Sequence, residues 1–419
     1  MFEQEGYRKL EQECIRTGLC FECGACELVC PNGALKLKKY PWFRNPELVA
    51  DCVKNNCTRC YDACAAARVP LSEIEKRFFG RTRPHRFPGK SPDLPCEHDE
   101  DKTGIVRSFY TGFSTDPEIY GQAVSGGISS SILIHALQSG MIDGAVLAGF
   151  DPETPYEAKA CVATTREEIL RCAGSKYQPH PQLPGIRDAL KLGLKNIALT
   201  ATPCTVLSLR KMMLQHEFDE LTSCIRLVIG NICGAHWSRH GTEDLIENWT
   251  GVPLSEVKEL KYRARPFPGE FQVRTKNGDL KIRSFVNGGG LGQLAKYTPE
   301  ECRYCLEKAA SAADLVVGDT WHHPVLCPTK LDGYTEEDLK RDERIAHARQ
   351  GMTAVVVRSE AGQRFVDAAI AANAVKLYPE TEEGWRAFLC AVHDEGKPKC
   401  NGPVIHARLV RKQPVREYF

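Results

Sequence analysis

Long apolar runs, an excess of charge of either sign and an export signal are all missing from this 419-residue sequence. No stretch of eighteen apolar residues occurs, so we expect no membrane-spanning helix. Lysine and arginine number 55 against 54 for aspartate and glutamate, which leaves no net field to attract nucleic acid or an anionic membrane. The first residues, MFEQEGYRKLEQECIR, lack the apolar core of a signal peptide. These absences favour a cytoplasmic protein in a reducing compartment.

Cysteine is the residue in excess, with 20 in the chain. Two groups stand near the start, and the first has the spacing C-x2-C-x2-C-x3-C followed by Pro31. This spacing is typical of bacterial ferredoxins with two [4Fe–4S] clusters, in which the fourth cysteine binds the other cluster. The sequence therefore predicts one cluster on Cys20, Cys23, Cys26 and Cys64, and a second on Cys52, Cys57, Cys60 and Cys30.

The second group departs from the ferredoxin pattern. Four residues separate Cys52 from Cys57, and Ala65 follows Cys64 where a proline is usual. A disulfide framework and zinc are the alternatives. A chain of this length needs no disulfide staples, and zinc favours paired CxxC or Cys/His ligands. The first group's spacing and its proline therefore favour iron–sulfur clusters.

Four further cysteines form a second candidate site. Cys204 and Cys233 each follow a predicted strand, and Cys302 and Cys305 form a CxxC pair. Because parallel strands end at the same edge of a sheet, the first two are expected to face each other and the pair to complete a four-thiolate site. By spacing alone, a cluster, a zinc site and unrelated buried cysteines all remain open. We expect ordinary thiols at Cys14, Cys96, Cys161, Cys172, Cys224, Cys327, Cys390 and Cys400.

The chain is expected to divide into four segments. Residues 1–75 form a ferredoxin-like two-cluster domain, and residues 76–102 form a proline-containing linker. From residue 103 to 378, short apolar runs alternate with helical segments, which predicts a mixed α/β body. Asn277-Gly278 predicts a hairpin in this body. Residues 379–419 are expected to form a C-terminal helix and a basic tail.

Three polar, flexible turns are candidates for holding a phosphorylated cofactor. Ser125-Gly126-Gly127, followed by Ser129 and Ser130, opens a predicted helix with bare amides and hydroxyls. A tight turn with a helix cap explains the same residues. The other two turns contain Lys176-Tyr177 and Asn287-Gly288.

The order of several segments carries a family resemblance. The segments are VSGGISSSILIHAL, GSKYQP, ATPCTVLSLRKM, GNICG, CRYCLEKAASAADLVVGDTW and TAVVVRSEAGQRFVDAA. Together they resemble the family of beta subunits of coenzyme F420 hydrogenase and dehydrogenase, over about residues 103–378. They are similar also to 7-hydroxymethyl chlorophyll a reductase and to the oxidase half of F420-dependent sulfite reductase. One departure is Ala201, where the family usually has glycine before Thr-Pro-Cys.

The resemblance implies a flavin-binding body with bound FAD, coenzyme F420 as substrate and a third [4Fe–4S] cluster. It implies that this cluster is bound by Cys204, Cys233, Cys302 and Cys305. Lys176 and His236 are expected to place charge near the flavin. The implied cofactor-binding residues are Ser125, Gly126, Gly127, Ser129, Ser130, Lys176, Tyr177, Thr202, Pro203, Asn287 and Gly288.

Three functions remain open at this point. The first is an F420-linked oxidoreductase that passes electrons between F420 and one-electron carriers, as a subunit beside hydrogenase, dehydrogenase or reductase partners. The second is a flavoenzyme that takes electrons from ferredoxin and reduces an organic substrate. The third is an electron-transfer adaptor without a substrate of its own.

Overall fold

The computed structural model describes residues 5–52, 56–83, 100–284, 295–394 and 397–418. Its strands are β1 (Leu35–Lys39), β2 (Arg44–Leu48), β3 (Arg68–Val69), β4 (Ser108–Ser114), β5 (Gly144–Phe150), β6 (Ala158–Ala163), β7 (Ile197–Ala201), β8 (Ile225–Asn231), β9 (Val257–Ala264), β10 (Glu270–Thr275), β11 (Leu280–Ser284), β12 (Leu315–Asp319), β13 (Thr353–Val357), β14 (Val375–Pro379) and β15 (Glu417–Tyr418).

The described α-helices are short, and several are a single turn. They are α1 (Glu5–Leu10), α2 (Ala25–Leu28), α3 (Arg59–Asp62), α4 (Leu71–Phe79), α5 (Glu100–Thr103), α6 (Pro117–Gln122), α7 (Ile128–Gln138), α8 (Arg166–Arg171), α9 (Gly185–Lys191), α10 (Pro203–Met213), α11 (Asp219–Thr222), α12 (Arg239–Asp244), α13 (Glu336–Arg341), α14 (Glu343–Ala348), α15 (Glu360–Ala371), α16 (Glu382–Asp394) and α17 (Lys397–Val410). Within the described ranges, no helix has the length and apolar character needed to cross a membrane.

An eight-stranded sheet forms the centre of the body, in the order β14-β4-β13-β12-β8-β7-β5-β6. The four inner strands β12, β8, β7 and β5 run parallel. The outer strands β6, β13, β4 and β14 pair antiparallel. The inner strands are nearly continuous apolar runs, as expected for strands that are buried on both faces. The predicted mixed α/β body is confirmed.

Helices cover both faces of this sheet. On one face, Ile132 of α7 and Val366 of α15 pack against alternate strand residues such as Leu227. On the other face, Leu207 of α10 packs against Val228, the next residue along the same strand. Successive strand residues point to opposite faces, so one strand contributes to two cores. A smaller sheet, β11-β10-β9, contains the predicted hairpin at Asn277-Gly278.

The N-terminal segment shares a core with the body. The hydroxyl of Ser208 in α10 accepts a hydrogen bond from the amide of Ala65 at 3.2 Å. Leu28 and Ile74 belong to the same apolar cluster as Leu207. The first residues of the predicted linker are helical, because α4 extends to Phe79. Ile74 and Phe78 lie one turn apart and pack on the same core cluster, so the apolar side of the helix extends beyond residue 75.

Candidate functional site

Four predicted cluster ligands line one cavity in the N-terminal segment. The remaining wall is mostly apolar and includes Leu10, Leu37 and Pro46. Gly24, with φ of +81°, begins α2, and a Cβ atom there would lie 2.5 Å from Pro184. A glycine is therefore required where the cysteine loop packs on the body. The thiols that line the cavity are those of Cys14, Cys20, Cys23, Cys26 and Cys64.

The electrostatics of this cavity suit a bound cationic group. Burial raises the pKa of Cys23 to about 12, and the charge of Cys64 acts in the same direction. Burial also raises the pKa of Cys20 and of Cys26 well above the usual range, and each is raised again by neighbouring thiols. A thiolate in such a place needs a metal to compensate its charge, because thiolates are the form that binds metal. The residues therefore fit an iron–sulfur cluster.

A fifth thiol in the same cavity carried no signal in the sequence. The Sγ atom of Cys14 lies 3.8 Å from the Sγ atom of Cys64. Cys14 is only 1% exposed. It precedes the first cysteine group and fits no ligand spacing, so only the fold reveals its position.

The second group lies beside the first. Burial raises the pKa of Cys60 to about 12, followed by smaller contributions from Cys57, Cys52 and Cys30. Burial also raises the pKa of Cys52, and Cys57 and Cys30 add to the effect. The fold thus brings Cys30 to the later cysteines and Cys64 to the earlier ones, the exchange that the ferredoxin spacing predicts.

The interior group, which we define as Cys204, Cys233, Cys302 and Cys305, forms where two parallel strands end. Ala201 of β7 lies opposite Gly230 of β8, so the residues that follow the two strands meet at one edge of the sheet. Burial, followed by the charges of Cys305 and Cys233, raises the pKa of Cys204 to about 11. The backbone amide of His236, three residues after Cys233, donates to the Sγ atom of Cys302 at 3.4 Å.

Side chains around the interior group hold its loops in place. The side-chain amide of Asn401 donates to the carbonyl oxygens of Cys302 at 2.8 Å and of Cys305 at 2.7 Å. Thr202 precedes α10, and its Oγ1 atom lies 3.4 Å from the Sγ atom of Cys204. Pro203 is the first residue of that helix. Thr202 and Pro203 therefore lie next to Cys204, and their contact with a flavin stays a prediction.

The three groups are neighbours in space. The charge of Cys204 contributes, after burial and nearer groups, to the raised pKa of Cys23. The charge of Cys60 contributes in the same way to that of Cys26. The first cavity is therefore next to both the interior group and the second group.

Single-ion and disulfide chemistry were the alternatives for these cysteines. None of the 18 cysteines whose side chains the structure describes is in a disulfide bond, which contradicts a disulfide framework among them. Within the same residues, no three Cys, His, Asp or Glu side chains are arranged around one metal ion. This finding bears on single ions, whose sulfur ligands lie about 2.3 Å from one centre. The ligands of a cluster bind different iron atoms and lie farther apart.

The predicted phosphate-binding turn precedes α7. Gly126 and Gly127 have φ of +84° and +77°. A Cβ atom on Gly126 would lie 2.9 Å from the carbonyl oxygen of Gly112, so this position requires glycine. Ser129 and Ser130 lie in the first turn of the helix and are half-buried. The helix N-terminus therefore carries two serine hydroxyls close to its first amides.

Ser125 belongs to a polar cluster beside this helix. Its hydroxyl donates to the carboxylate of Asp319, which also accepts from Arg263 and, at 3.2 Å, from the indole N–H of Trp321. Burial acts to lower the pKa of Arg263, but the Asp319 carboxylate and the Tyr177 hydroxyl together outweigh it and the pKa is raised. Asp319 ends strand β12, a position at which functional residues are common in α/β proteins. Arg263 lies on β9 outside any recognised motif, so the sequence gives no signal of its role.

Lys176 and Tyr177 lie next to an aromatic wall. The amine of Lys176 donates to the carbonyl oxygens of Cys172 at 2.6 Å, Ala173 at 2.8 Å and Gly174 at 3.1 Å. Burial lowers its pKa to about 8. The ring of Tyr177 lies 4.1 Å from that of Trp237, between centroids. The side chain of Lys176 therefore stabilises the turn just before it, at residues 172–174.

The remaining predicted site residues are His236, Asn287 and Gly288. His236 lies at the interior cysteines, where its backbone amide contacts Cys302. Asn287 and Gly288 lie outside the described residues.

The structure thus joins a mixed α/β sheet to groups of thiols, the type of ligand that iron–sulfur centres use. Residues 109–187 match the N-terminal part of the beta subunit of coenzyme F420 hydrogenase/dehydrogenase, and residues 194–383 match the C-terminal part of the same protein. The chain belongs to this family.

Named relatives agree with the family. The beta subunit of coenzyme F420 hydrogenase from Methanosarcina barkeri is 28% identical over 207 residues, which are 49% of this chain and 67% of the relative. The F polypeptide of the F(420)H(2) dehydrogenase from Methanosarcina mazei is 25% identical over 337 residues, 79% of this chain and 85% of the relative. The coenzyme F420-dependent sulfite reductase of Methanocaldococcus jannaschii is 23% identical over 339 residues, 77% of this chain and 44% of the relative.

A solved structure shares the fold. It is a chain of the F420-reducing [NiFe] hydrogenase complex from Methanosarcina barkeri, with a TM-score of 0.57 and 23% identity. The similarity covers 75% of this chain and 97% of the other.

Proposed function

We propose that this chain passes electrons between coenzyme F420 and one-electron carriers, through FAD and three [4Fe–4S] clusters, as a subunit of a larger redox complex. Family membership supports an F420-linked oxidoreductase. The observation that supports the three clusters is the presence of three neighbouring groups of thiols, in which thiols of the first cavity lie near the interior group and near the second group. A row of neighbouring centres is useful for moving single electrons across a protein.

The cluster ligands follow from the thiol groups. The proposed interior cluster is bound by Cys204, Cys233, Cys302 and Cys305. The cluster in the first cavity is bound by Cys20, Cys23, Cys26 and Cys64. The cluster of the second group is bound by Cys30, Cys52, Cys57 and Cys60. Burial denies these thiolates the solvation that would stabilise their charge. The iron supplies that compensation.

The proposed FAD site lies at the N-terminus of α7. FAD exchanges both hydride and single electrons, whereas F420 exchanges hydride and clusters exchange electrons. Gly126 and Gly127 allow backbone amides to approach phosphate closely, and Ser129 and Ser130 offer hydroxyls. The ion pair of Asp319 and Arg263 stabilises the turn through Ser125. Tyr177 offers an aromatic surface next to Lys176.

Two residues keep a proposed role in flavin electrostatics. The amine of Lys176 is held by three carbonyl oxygens, so its charge is fixed in position beside Tyr177. His236 donates its backbone amide to Cys302. We propose that its side chain affects the electrostatic potential between the proposed flavin and the interior cluster.

An anaerobic titration tests the proposal. Reduced F420 added to the whole purified protein should bleach the flavin and cluster absorbance together, and iron analysis should give about twelve irons per chain. Reduced ferredoxin is the comparison reductant. If ferredoxin bleaches both chromophores and F420 bleaches neither, the F420-linked proposal is wrong. A purified protein with iron but without flavin would favour the electron-transfer adaptor.

A further inference from the structure

The end of the chain is bound to the segment that follows the first cysteine groups. Strand β15 pairs in parallel with β3, with Glu417 opposite Arg68 and Tyr418 opposite Val69. The amide of Glu417 donates to the carbonyl oxygen of Ala67 at 2.7 Å. This ladder begins shortly after Cys64, so it fixes the residue before β15 beside the first cavity.

That residue is Arg416, which is 7% exposed. Its Nε atom donates to the carbonyl oxygen of Ala66 at 3.0 Å, and its guanidinium carbon lies 4.9 Å from the centroid of the Phe21 ring. Ala66 and Phe21 both line the first cavity. On its other side, the Nη1 atom lies 3.9 Å from the Sγ atom of Cys305 in the interior group. One guanidinium therefore contacts two residues in the wall of the first cavity and one thiol of the interior group.

We propose that Arg416 is a positioning residue that raises the reduction potentials of the interior cluster and of the cluster in the first cavity. This inference rests on the proposed function. Each cluster gains one negative charge on reduction, and a nearby positive charge stabilises the reduced form more than the oxidised form. Arginine stays protonated in proteins, so its charge is permanent at any working pH.

A lysine at position 416 would keep the positive charge of Arg416 but would lose part of its contacts with the neighbouring residues. The planar guanidinium donates to Ala66 while its face lies against Phe21. A lysine ammonium keeps the charge on a similar stem but loses the forked geometry. Charge and shape are therefore separable by substitution.

The test is a potentiometric titration of the whole, anaerobically purified protein, followed by EPR of the reduced clusters. Neutral variants Arg416→Gln and Arg416→Met should lower two of the midpoint potentials, with about a tenfold loss in the one-electron reduction equilibrium, equal to about 59 mV. Arg416→Lys should keep the wild-type potentials. Arg411→Gln removes an exposed charge near the same end of the chain and should change nothing.

The outcomes separate the two proposals. A wild-type protein without iron overturns the proposed function and this inference together. Iron-replete neutral variants with unchanged potentials overturn the role of Arg416 alone. If both neutral variants lose iron while Arg416→Lys retains it, the charge is needed for assembly, and the proposed tuning role is wrong.

Discussion

Replacing Gly126 with alanine probes the turn on which the proposed flavin site depends. The residue has φ of +84°, in the left-handed region, and stands just before the helix α7. An added Cβ atom would lie 2.9 Å from the carbonyl oxygen of Gly112 and 2.9 Å from the Oγ1 atom of Thr353. The first of these atoms belongs to a strand of the central sheet and has little freedom to move. The turn or the strand must therefore shift.

The free-energy cost of Gly126→Ala has two parts. A side chain in the left-handed region costs roughly 1–2 kcal/mol, and a forced contact with fixed backbone costs about 1–3 kcal/mol more. Gly140, just after the other end of α7, has φ of +72° but no atom within 4 Å of an added Cβ. Gly140→Ala therefore carries only the first part, and the two variants should differ by about 1–3 kcal/mol.

Urea unfolding of both variants, with matched slopes, measures this difference in the free energy of unfolding. Flavin content per chain, measured by absorbance after precipitation of the protein, reports on the site itself. We expect Gly126→Ala to lose flavin and Gly140→Ala to keep it. Equal stabilities would refute the steric argument, and full flavin retention in a folded Gly126→Ala protein would refute the placement of the cofactor.

Three further predictions address the other parts of the site. Cys305→Ser should lower the iron content by about four atoms per chain, whereas Cys327→Ser, at a buried cysteine outside the three groups, should retain the full content by colorimetric assay. Asp319→Asn should cost about 3 kcal/mol in urea unfolding, because it leaves the mostly buried Arg263 without its carboxylate; an unchanged midpoint would show that the pair is not needed. The pKa of Lys176 is lowered by burial to about 8, so the unfolded chain binds more protons between that pH and the ordinary lysine pKa. The free energy of unfolding should accordingly rise through this window in the wild type, and Lys176→Met should remove that part of the rise.

The inner strands of the sheet were predictable because their sequences are simple. β7 and β8 are apolar runs bounded by turn residues, and such runs predict buried parallel strands. Strand β4, SFYTGFS, mixes hydroxyl, aromatic and glycine residues, and its pairing with β13 and β14 joins segments far apart in the chain. No local pattern indicates that such a segment belongs to the central sheet.

The candidate sites also contain residues that the sequence predicts and residues that only the fold reveals. The ferredoxin spacing predicts a grouping of cysteines because covalent geometry limits which thiols can reach one centre. Arg416 and Asn401 contact the interior group from the far end of the chain, and neither stands in a motif. Tertiary packing determines the long-range contacts of single polar residues. No local or periodic pattern in a single sequence indicates such contacts.

The pairing of β15 with β3 has a consequence for how the protein is made. Arg416 and the carbonyl oxygen that it contacts, on Ala66, are 350 residues apart in the chain. At a synthesis rate of about 5–20 residues per second, that separation corresponds to roughly 20–70 s on the ribosome. The first cysteines are therefore synthesised long before the arginine that packs against Ala66 and Phe21 beside them. The contacts of Arg416 with this cavity wall can form only after synthesis has reached that residue.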